Sequence, residues 1–566
     1  MHGLVIRGGT VVDGTGAPRY TADVAIERGR ITAVGGRLGP AARDIDAEGL
    51  LVTPGFVDAH THYDGQVLWD EEVAPSSGHG VTTVVMGNCG VGFAPVRPDQ
   101  HDFLVQVMEG VEEIPGSALD AGLDWDWETF PQYLDALDRR RWTLDVATQV
   151  PHAALRCYVM GEDRANDVDA RPDDVAQMRA LTEEALRAGA LGFSTSRTIL
   201  HRTKKNEVVP GTHCAATELE GIAAALRDAG HGVFQMISDN MGLEPDLGWM
   251  KRIARLTGRP LIYTLAELPH DPLAYRRALS ELDRAADEGL ELRAAVPWRP
   301  PGVLLGVQAS LHPFSKHPSF PHALARAERL DALRDASLRA RLLAEEPTNA
   351  GAFLRSILFD FDQLFLLGVP PDYEPPPETS IAARARAAGM RPDVFAYDLL
   401  AAGGADTFLY RPLTGYARGD FSALHEMLCH PRAIASLSDG GAHVGSLCDA
   451  SVTTYMLTHW AGDRRRGPRL PLEMVIRKQT SETAELYGLH DRGRIEVGRR
   501  ADLNLIDLDG LRLHAPEVAY DLPNGGRRLL QRADGYHSTL VAGEVVSERG
   551  ELTGARPGRL VRGPKP

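Results

Sequence analysis

Two histidines separated by a single residue follow a short apolar segment near the start of the chain. The segment reads GFVDAHTHYDG over residues 55–65 and contains His60 and His62. Side chains two residues apart on an extended strand point the same way, so both imidazoles should face one side of the chain. Imidazole nitrogens bind zinc and related metals well. The spacing therefore indicates a metal site, with two solvated loop histidines as the alternative.

An aspartate far along the chain has complementary chemistry. The segment SLSDGGAH places Asp439 at the predicted end of a late apolar strand, and His443 follows four residues later. A carboxylate there could bind a metal and also act as general base for a water whose pKa the metal lowers. His443 could orient Asp439 or stabilise an oxyanion. Taken alone, an aspartate before two glycines is also typical of a turn.

Short apolar segments alternate with longer helical ones through the middle of the chain. A helix is predicted at RPDDVAQMRALTEEALRAG, because Pro172 lies near its start and Gly189 follows its end. The alternation predicts an α/β fold with a TIM-like (β/α)8 barrel, whose active sites lie at the C-terminal ends of the strands. Besides the histidine strand, the predicted strands lie within residues 80–90, 145–152, 190–197, 232–240, 260–267, 292–300 and 434–443.

Both ends of the chain have a different pattern, with short apolar strands separated by glycine-containing turns. We expect residues 1–54 and 490–566 to form one small β-sandwich domain and residues 55–489 to form the barrel. The region at about 315–395 interrupts the alternation with helical stretches around a proline-rich loop. It is predicted to be an insertion between the seventh and eighth strands, acting either as a lid or as an interface.

The composition excludes several classes of protein. The 566 residues are too many for one ordinary domain, and 43% hydrophobic with 24% charged residues is typical of a globular protein. The net charge of −16 argues against a nucleic acid or an anionic membrane as partner, and no apolar run is long enough to span a membrane. With no signal-peptide pattern and five scattered cysteines, we expect a cytoplasmic protein with a small-molecule substrate. The oligomeric state, monomer or homo-oligomer, is left open.

Four segments together resemble the amidohydrolase superfamily, namely TPGFVDAHTHYDG, GVTTVVMGNCGVGFAP, SLSDGGAHVG and VGRRADLNLIDL. Within it they are similar to the N-acyl-D-amino-acid deacylase (D-aminoacylase) branch, over nearly the whole chain. The resemblance implies deacylation of an N-acyl (D-)amino acid by metal-activated water with Asp439 as general base. It also implies that His60, His62 and Asp439 hold one metal ion and that Cys89 of the GNCG segment helps to hold another.

Two features depart from the pattern of that branch. Its members have metal-binding histidines on strands five and six, whereas VFQMISDN and LIYTLAEL in this chain contain none. The strand-four segment ALGFSTSR has no lysine to match the carboxylated lysine that bridges two metals in the superfamily. We therefore expect one Zn²⁺, or another divalent metal, on His60, His62 and Asp439. Cys89 is either a further ligand or a residue that lines the pocket.

Five further residues near predicted strand ends are candidates for substrate contacts: His152, Arg197, His201, Trp298 and Arg299. The two arginines could each hold a carboxylate through paired hydrogen bonds, and Trp298 could contact an acyl group. His201 could bind substrate or metal. A core or capping role for His152, and a surface-loop position for Arg197 and His201, explain the sequence equally well.

Two alternatives to deacylation stay open from the sequence. One is a different amidohydrolase reaction, on a cyclic amide or a carbamate, or a deamination. The other is a non-catalytic binding or scaffold protein. The joint presence of His60, His62 and Asp439 argues against the second alternative, because a scaffold has no need of all three.

Overall fold

The computed structural model describes residues 1–166 and 169–564, so that residues 565 and 566 of the predicted β domain lie outside the described residues. The strands are β1 His2–Val11, β2 Tyr20–Glu27, β3 Arg30–Gly35, β4 Ala41–Asp46, β5 Leu51–Pro54, β6 Phe56–Asp58, β7 Val81–Met86, β8 Asp145–Thr148, β9 Val150–Pro151, β10 Gly192–Arg197, β11 Val233–Ser238, β12 Leu261–Thr264, β13 Leu292–Pro297, β14 Gly302–Leu305, β15 Phe365–Leu366, β16 Leu409–Pro412, β17 Ala433–Ser436, β18 Leu503–Ile506, β19 Arg512–Leu513, β20 Glu517–Leu522, β21 Gly526–Leu530, β22 Ala533–Asp534, β23 Tyr536–Val541, β24 Glu544–Glu548 and β25 Glu551–Leu552.

The helices alternate with the strands through the middle of the chain. In α9, for example, Tyr275, Ala278 and Leu282 are buried at spacings of three and four residues, which gives the helix one apolar face. The α-helices are α1 His101–Glu112, α2 Gly116–Gly122, α3 Phe130–Asp138, α4 His152–Met160, α5 Glu162–Ala165, α6 Pro172–Ala188, α7 Ala216–Ala229, α8 Asp246–Thr257, α9 Ala274–Asp287, α10 Arg326–Leu333, α11 Ala336–Leu342, α12 Ala352–Phe359, α13 Ile381–Ala387, α14 Pro392–Ala402, α15 Ser422–Cys429, α16 Val452–Tyr455, α17 Leu472–Gln479 and α18 Ser481–Leu486.

Two parallel sheets form the α/β centre of the molecule. One has the order β6-β7-β8, and the other has the order β17-β13-β12-β11-β10-β9. Only Gln149 separates β8 from β9, and a parallel bridge between Thr61 and Gly440 joins the segments that follow β6 and β17. Each of the eight predicted strand segments contains or overlaps one of these strands or the β8–β9 pair.

One buried cluster takes a residue from, or next to, each of these eight strand positions. Because successive side chains on a strand alternate between its faces, such a set must face a shared interior. Residues from and after α18 pack against the set. Its members are Val57, Ala59, Val85, Ala147, Leu191, Val233, Ile262, Ala295 and Ile434 from the strands or next to them, with Ala484, Tyr487 and Leu489.

The two ends of the chain meet in one mixed sheet with the order β25-β24-β23-β18-β5-β1-β2-β3, in which β4 also pairs with β1. Antiparallel pairing of β18 with β5 joins the ends, with Leu503 opposite Pro54. The apolar core beneath the sheet takes side chains from both ends, among them Val24 and Leu540. The C-terminal tail then reaches β8, where the N–H of Val561 donates to the carbonyl of Val146 at 2.7 Å.

The segment between β13 and β17 contains α10 to α14 and a small antiparallel sheet with the order β14-β16-β15. It has a buried apolar core of its own, which includes Leu342, Leu358, Ile381 and Leu400. The insertion predicted at 315–395 lies within this segment. Throughout the described part of the chain, every helix is too short or too polar to cross a lipid bilayer.

Candidate metal centre and active site

Four predicted metal ligands meet beyond the C-terminal ends of β6, β7 and β17. Nε2 of His60 lies 3.3 Å from Sγ of Cys89 and 3.4 Å from Oδ1 of Asp439. Nε2 of His62 lies 3.9 Å from the same Asp439 oxygen. Candidate ligand atoms of His60, His62 and Cys89 all lie within 4.8 Å of one another, and the three side chains are buried. The four side chains therefore converge.

The arrangement fits a divalent metal ion both in donor chemistry and in size. In tetrahedral zinc sites with bonds of about 2.0–2.3 Å, neighbouring donor atoms are about 3.3–3.8 Å apart. The separations of 3.3, 3.4 and 3.9 Å given above lie in or close to this range. Two imidazoles, a thiol and a carboxyl form a mixed donor set that zinc accepts. The residues present therefore fit one metal ion.

The loop that carries Cys89 is pressed against the neighbouring strands. Gly90 has φ +72°, and a Cβ at this position would lie 3.0 Å from Cα of Thr195, so a larger residue would push the loop off β10. The backbone N–H of Cys89 donates to Oε1 of Gln235 at 3.0 Å, and that of Gly90 donates to Oγ of Ser194 at 2.9 Å. These contacts fix the thiol in its position facing His60.

Polar residues of the fifth and sixth strand positions have other partners. Gln235 of β11 supports the backbone of Cys89, as described above. Glu267, which follows β12, accepts hydrogen bonds from the N–H of Ala417 at 2.9 Å and from Nε of Arg418 at 3.0 Å. In the described part of the chain, no cluster of His, Cys, Asp and Glu side chains that is close enough to hold a metal ion includes a residue of β11 or β12. Gln235 and Glu267 therefore stabilise neighbouring segments of the protein through these hydrogen bonds.

Three residues of the site have a left-handed backbone. The φ angles are +53° at Cys89, +48° at Asp439 and +46° at His443. Such angles are uncommon for residues other than glycine and cost roughly 1–3 kcal/mol each. Pairing between the two segments that carry the ligands holds the turn in place: the N–H of Asp439 donates to the carbonyl of His60 at 3.1 Å, and that of His62 donates to Gly440 at 2.7 Å.

Burial favours the neutral form of each ligand side chain. It lowers the pKa of His60 to about 3 and the pKa of His62 well below its ordinary value, so both rings keep a lone pair for a metal. Burial, together with Asp449 and Asp58, raises the pKa of Asp439 to about 8. The pKa of Cys89 is raised well above its usual range by burial and by Asp439. A cation among these groups would stabilise the carboxylate and the thiolate, and so oppose both upward shifts.

Two buried carboxyl groups of the site are absent from the sequence-based predictions. Glu112, the last residue of α1, has Oε1 at 3.1 Å from Nδ1 of His62 and Oε2 at 3.9 Å from Nε2 of His443. Asp449 lines a small cavity together with Asp439. Glu112 ends a helix without any motif, so the sequence offers no sign of its position. Asp449 could have been suspected only because it follows SDGGAH closely.

His152 lies in a separate buried cluster, and the structure does not bring it to the metal ligands. Its Nδ1 is 2.9 Å from Oγ1 of Thr195 and its Nε2 is 2.9 Å from Oε1 of Glu218. Arg156 pairs with the same carboxylate at 2.7 Å. Together with Cys214 the group resembles a metal site, but both ring nitrogens are engaged and the arginine already neutralises Glu218. The predicted substrate contact of His152 is therefore replaced by contacts within the protein.

Arg197 is likewise engaged elsewhere, and Trp298 is buried. Nη1 of Arg197 donates to the carbonyl of Cys214 at 2.9 Å, and its Nε lies 3.5 Å from Asp246. Trp298 is 1% exposed, and its carbonyl accepts a hydrogen bond from Trp460. These contacts occupy the Arg197 guanidinium and bury Trp298, and the predicted roles in substrate binding do not follow from them.

Arg299 forms a buried ion pair instead of an open anion site. Its Nη2 lies 3.0 Å from Oδ1 of Asp449, and its guanidinium carbon lies 3.7 Å from the ring centre of Tyr373. Both partners of the ion pair are almost completely buried. The positive charge that was predicted to hold a substrate carboxylate is thus neutralised within the protein.

Two predicted histidines lie at the edge of the metal ligands. Nδ1 of His201 is 3.1 Å from Oγ of Ser196 at the end of β10. Burial, with the nearby rings of His443 and His60, lowers the pKa of His201 to about 3. Of the two histidines, His443 has the more accessible side chain, which is 26% exposed. His443 is therefore the predicted residue best placed to reach a molecule that enters from solvent.

Comparisons with known proteins find chains of the same length and architecture. A family profile described as Amidohydrolase family matches residues 43–547. D-aminoacylase of Alcaligenes xylosoxydans xylosoxydans is 26% identical, over 99% of this chain and 97% of that protein. N-acyl-D-aspartate deacylase of the same organism is 28% identical, over 99% and 94% of the two chains. A solved structure of D-aminoacylase, described with a binuclear metal centre, has a TM-score of 0.66 at 24% identity, over 99% and 100% of the two chains.

Proposed function

Because the chain belongs to the amidohydrolase family, we propose that it is a metal-dependent hydrolase that removes the acyl group from N-acyl D-amino acids. The observation that carries the proposal is the convergence of His60, His62, Cys89 and Asp439 beyond the ends of three neighbouring strands. The full-length similarity to a D-aminoacylase and to an N-acyl-D-aspartate deacylase supports the substrate class.

The proposed scaffold is a closed (β/α)8 barrel formed by residues 55–489. Support comes from the bridge between Thr61 and Gly440, which links the last strand position to the first, and from the interior cluster that takes a residue from every position. Residues 1–54 and 490–566 would form the small β domain, since the sheet of the two chain ends unites them. Active sites of such barrels lie at the C-terminal ends of the strands, where the four ligands meet.

One zinc ion, or another divalent metal, would be held by His60, His62 and Asp439, with Cys89 as the fourth ligand. When bound, such an ion acts as a Lewis acid that polarises the substrate carbonyl and makes water more acidic. The engagement of Gln235 and Glu267 in other contacts supports one ion here, because those strands would otherwise supply ligands for a second.

Asp439 would move the proton of the reaction. Its carboxylate takes a proton from the attacking water while the water oxygen bonds to the carbonyl carbon. When the carbon–nitrogen bond breaks, Asp439 returns the proton to the leaving nitrogen, so the products are a carboxylic acid and a free amino acid. His443, the more exposed residue, would donate a hydrogen bond to the developing oxyanion, and His201 would line the substrate site. The scattered cysteines support a reducing, cytoplasmic setting for this small-molecule enzyme.

A substrate screen tests this function directly. Purified protein is supplied with Zn²⁺, Mn²⁺, Co²⁺ or Ni²⁺ and offered matched N-acetyl-D- and N-acetyl-L-amino acids, together with a cyclic amide, a carbamate and an amine substrate. Product release is measured for each. We expect hydrolysis of the D series, loss of activity on chelation and recovery with added metal. Preference for a cyclic amide, a carbamate or an amine substrate would assign a different reaction. Protein that holds no metal and hydrolyses none of these would be a binding or scaffold protein.

A further inference from the structure

We infer that Glu112 is a positioning residue for the metal centre, whose carboxyl group engages Nδ1 of His62 and so presents Nε2 of the same ring to the metal. The inference rests on the proposed function and adds a residue to its site. Glu112 is the last residue of α1, a helix in the long connection between β7 and β8, which also carries Cys89.

The contact between Glu112 and His62 joins two buried atoms that lack other partners. Oε1 of Glu112 lies 3.1 Å from Nδ1 of His62, and the side chains are 1% and 2% exposed. Among the described residues, neither atom forms a hydrogen bond of standard geometry with any group, so their 3.1 Å approach is a close polar contact that lacks full hydrogen-bond alignment. An unpartnered polar atom in the interior costs roughly 1–3 kcal/mol. A small rotation of the ring that aligns one proton between these two atoms would remove that cost for both.

This contact determines which nitrogen of His62 faces the ligand group. A neutral imidazole carries a proton on one ring nitrogen and a lone pair on the other. With the proton on Nδ1 directed at Glu112, the lone pair is on Nε2, which lies 3.9 Å from Oδ1 of Asp439. Metal-bound histidines commonly donate their other N–H to a carboxylate in this way, which fixes the ring and strengthens it as a ligand.

A neighbouring glutamate anchors the helix, which leaves Glu112 free for the ring. Glu113 accepts hydrogen bonds from Oγ of Ser446 at 2.6 Å and from Oγ of Ser310 at 2.8 Å. The N–H of Val444 also donates to the backbone carbonyl of Glu112 at 3.1 Å. The end of α1 is therefore attached to the loop of Asp439 and His443 without help from the Glu112 side chain.

The test measures metal affinity rather than hydrolysis. Zn²⁺ and Co²⁺ dissociation constants are determined by competition with a chromophoric chelator for the wild type, Glu112→Met and the matched control Glu109→Met. Glu109 lies on the same helix and pairs with Lys204 at the surface. We expect Glu112→Met to weaken binding by about 10–100-fold, and the control to leave it unchanged.

Repeating the measurement in His62→Ala protein separates a role in positioning the His62 ring from a general effect on the fold. In His62→Ala protein, Glu112→Met should weaken metal binding no further, because the ring it orients is gone. Equal losses in both backgrounds, or wild-type affinity in Glu112→Met, would overturn the inference while the proposed function stands. A wild-type protein that binds neither metal would overturn both.

Discussion

Oδ1 of Asp439 lies 3.4 Å from Nε2 of His60, and the backbone N–H of the same aspartate donates to the carbonyl of His60 at 3.1 Å. The residues are 379 positions apart along the chain, one after the first strand of the parallel sheets and the other after the last. The backbone pairing that joins these two segments is therefore also what sets the distance between the candidate general base and a candidate metal ligand.

Asp439→Asn should lower kcat by about 10²–10⁴-fold or more, because an amide cannot accept the proton from the attacking water. The fold should be kept, since asparagine tolerates the left-handed backbone of this position well. Turnover of an N-acyl amino acid and a thermal melt, measured side by side, check both halves of the expectation. Unchanged turnover would remove Asp439 from its proposed role.

Cys89→Ala should reduce metal affinity by more than the roughly 10–100-fold expected for residues that only orient ligands. The reason is the direct loss of one donor atom, which lies 3.3 Å from Nε2 of His60. Cys157→Ala is the matched control, because Cys157 is buried in α4 and is not among the ligands. Metal content is measured after dialysis against a weak chelator. Full metal content in Cys89→Ala would make this cysteine a lining residue.

Arg299→Met should destabilise the protein by about 3–5 kcal/mol, because it leaves the buried carboxylate of Asp449 without its partner. The double variant Arg299→Met/Asp449→Leu should recover part of that loss, since no buried charge remains. Urea unfolding of the wild type, the single variants and the double variant gives the coupling energy. If Arg299→Met instead raised KM and left stability intact, the substrate-binding role predicted from the sequence would be restored.

Glu374→Gln should lower the free energy of unfolding by at least about 2 kcal/mol at pH 7. Burial alone would raise the pKa of Glu374, but hydrogen bonds from His459 and Arg464 outweigh it and hold the pKa at about 2. Because the folded pKa is depressed, this contribution is complete above the ordinary pKa near 4.5 and is lost as pH falls from there towards 2. Urea unfolding at pH 7, 5 and 4 gives the difference in free energy of unfolding between Glu374→Gln and the wild type. This difference should become smaller only at the lowest pH. Glu378→Gln replaces an exposed residue of the same segment and should leave the free energy of unfolding unchanged.

The eight parallel strand positions could be predicted because their chemistry is local. A strand buried on both faces is a short apolar run, and α-helices follow all of these strand positions except β6. The spacing of His60 and His62 is equally local, since the two-residue repeat of a strand suffices to place both rings on one side. Asp439 was found because it follows such a run, whereas Cys89 was found through the resemblance of its GNCG segment to the deacylase branch.

The rest of the site depends on distances that no local pattern contains. Glu112 is one of 77 acidic residues, and only the packing of α1 brings it to His62. Arg299 does follow a strand as expected, yet its charge is taken by Asp449 from a later loop. His152 follows the third strand position, but Glu218 and Thr195 occupy both of its nitrogens. Whether a polar side chain faces a ligand or another residue is decided by the tertiary structure.

The sheet shared by the two chain ends has a consequence for how the protein is made. Strand β5 cannot pair with β18 until residues 503–506 have been synthesised. At about 5–20 residues per second, the first strands wait roughly 20–90 s for their partner. During that time β1, β2 and β5 expose apolar side chains and unpaired edges, which invite aggregation. We therefore expect the yield of folded protein during expression to depend strongly on temperature and on chaperones that shield the nascent N-terminal segment.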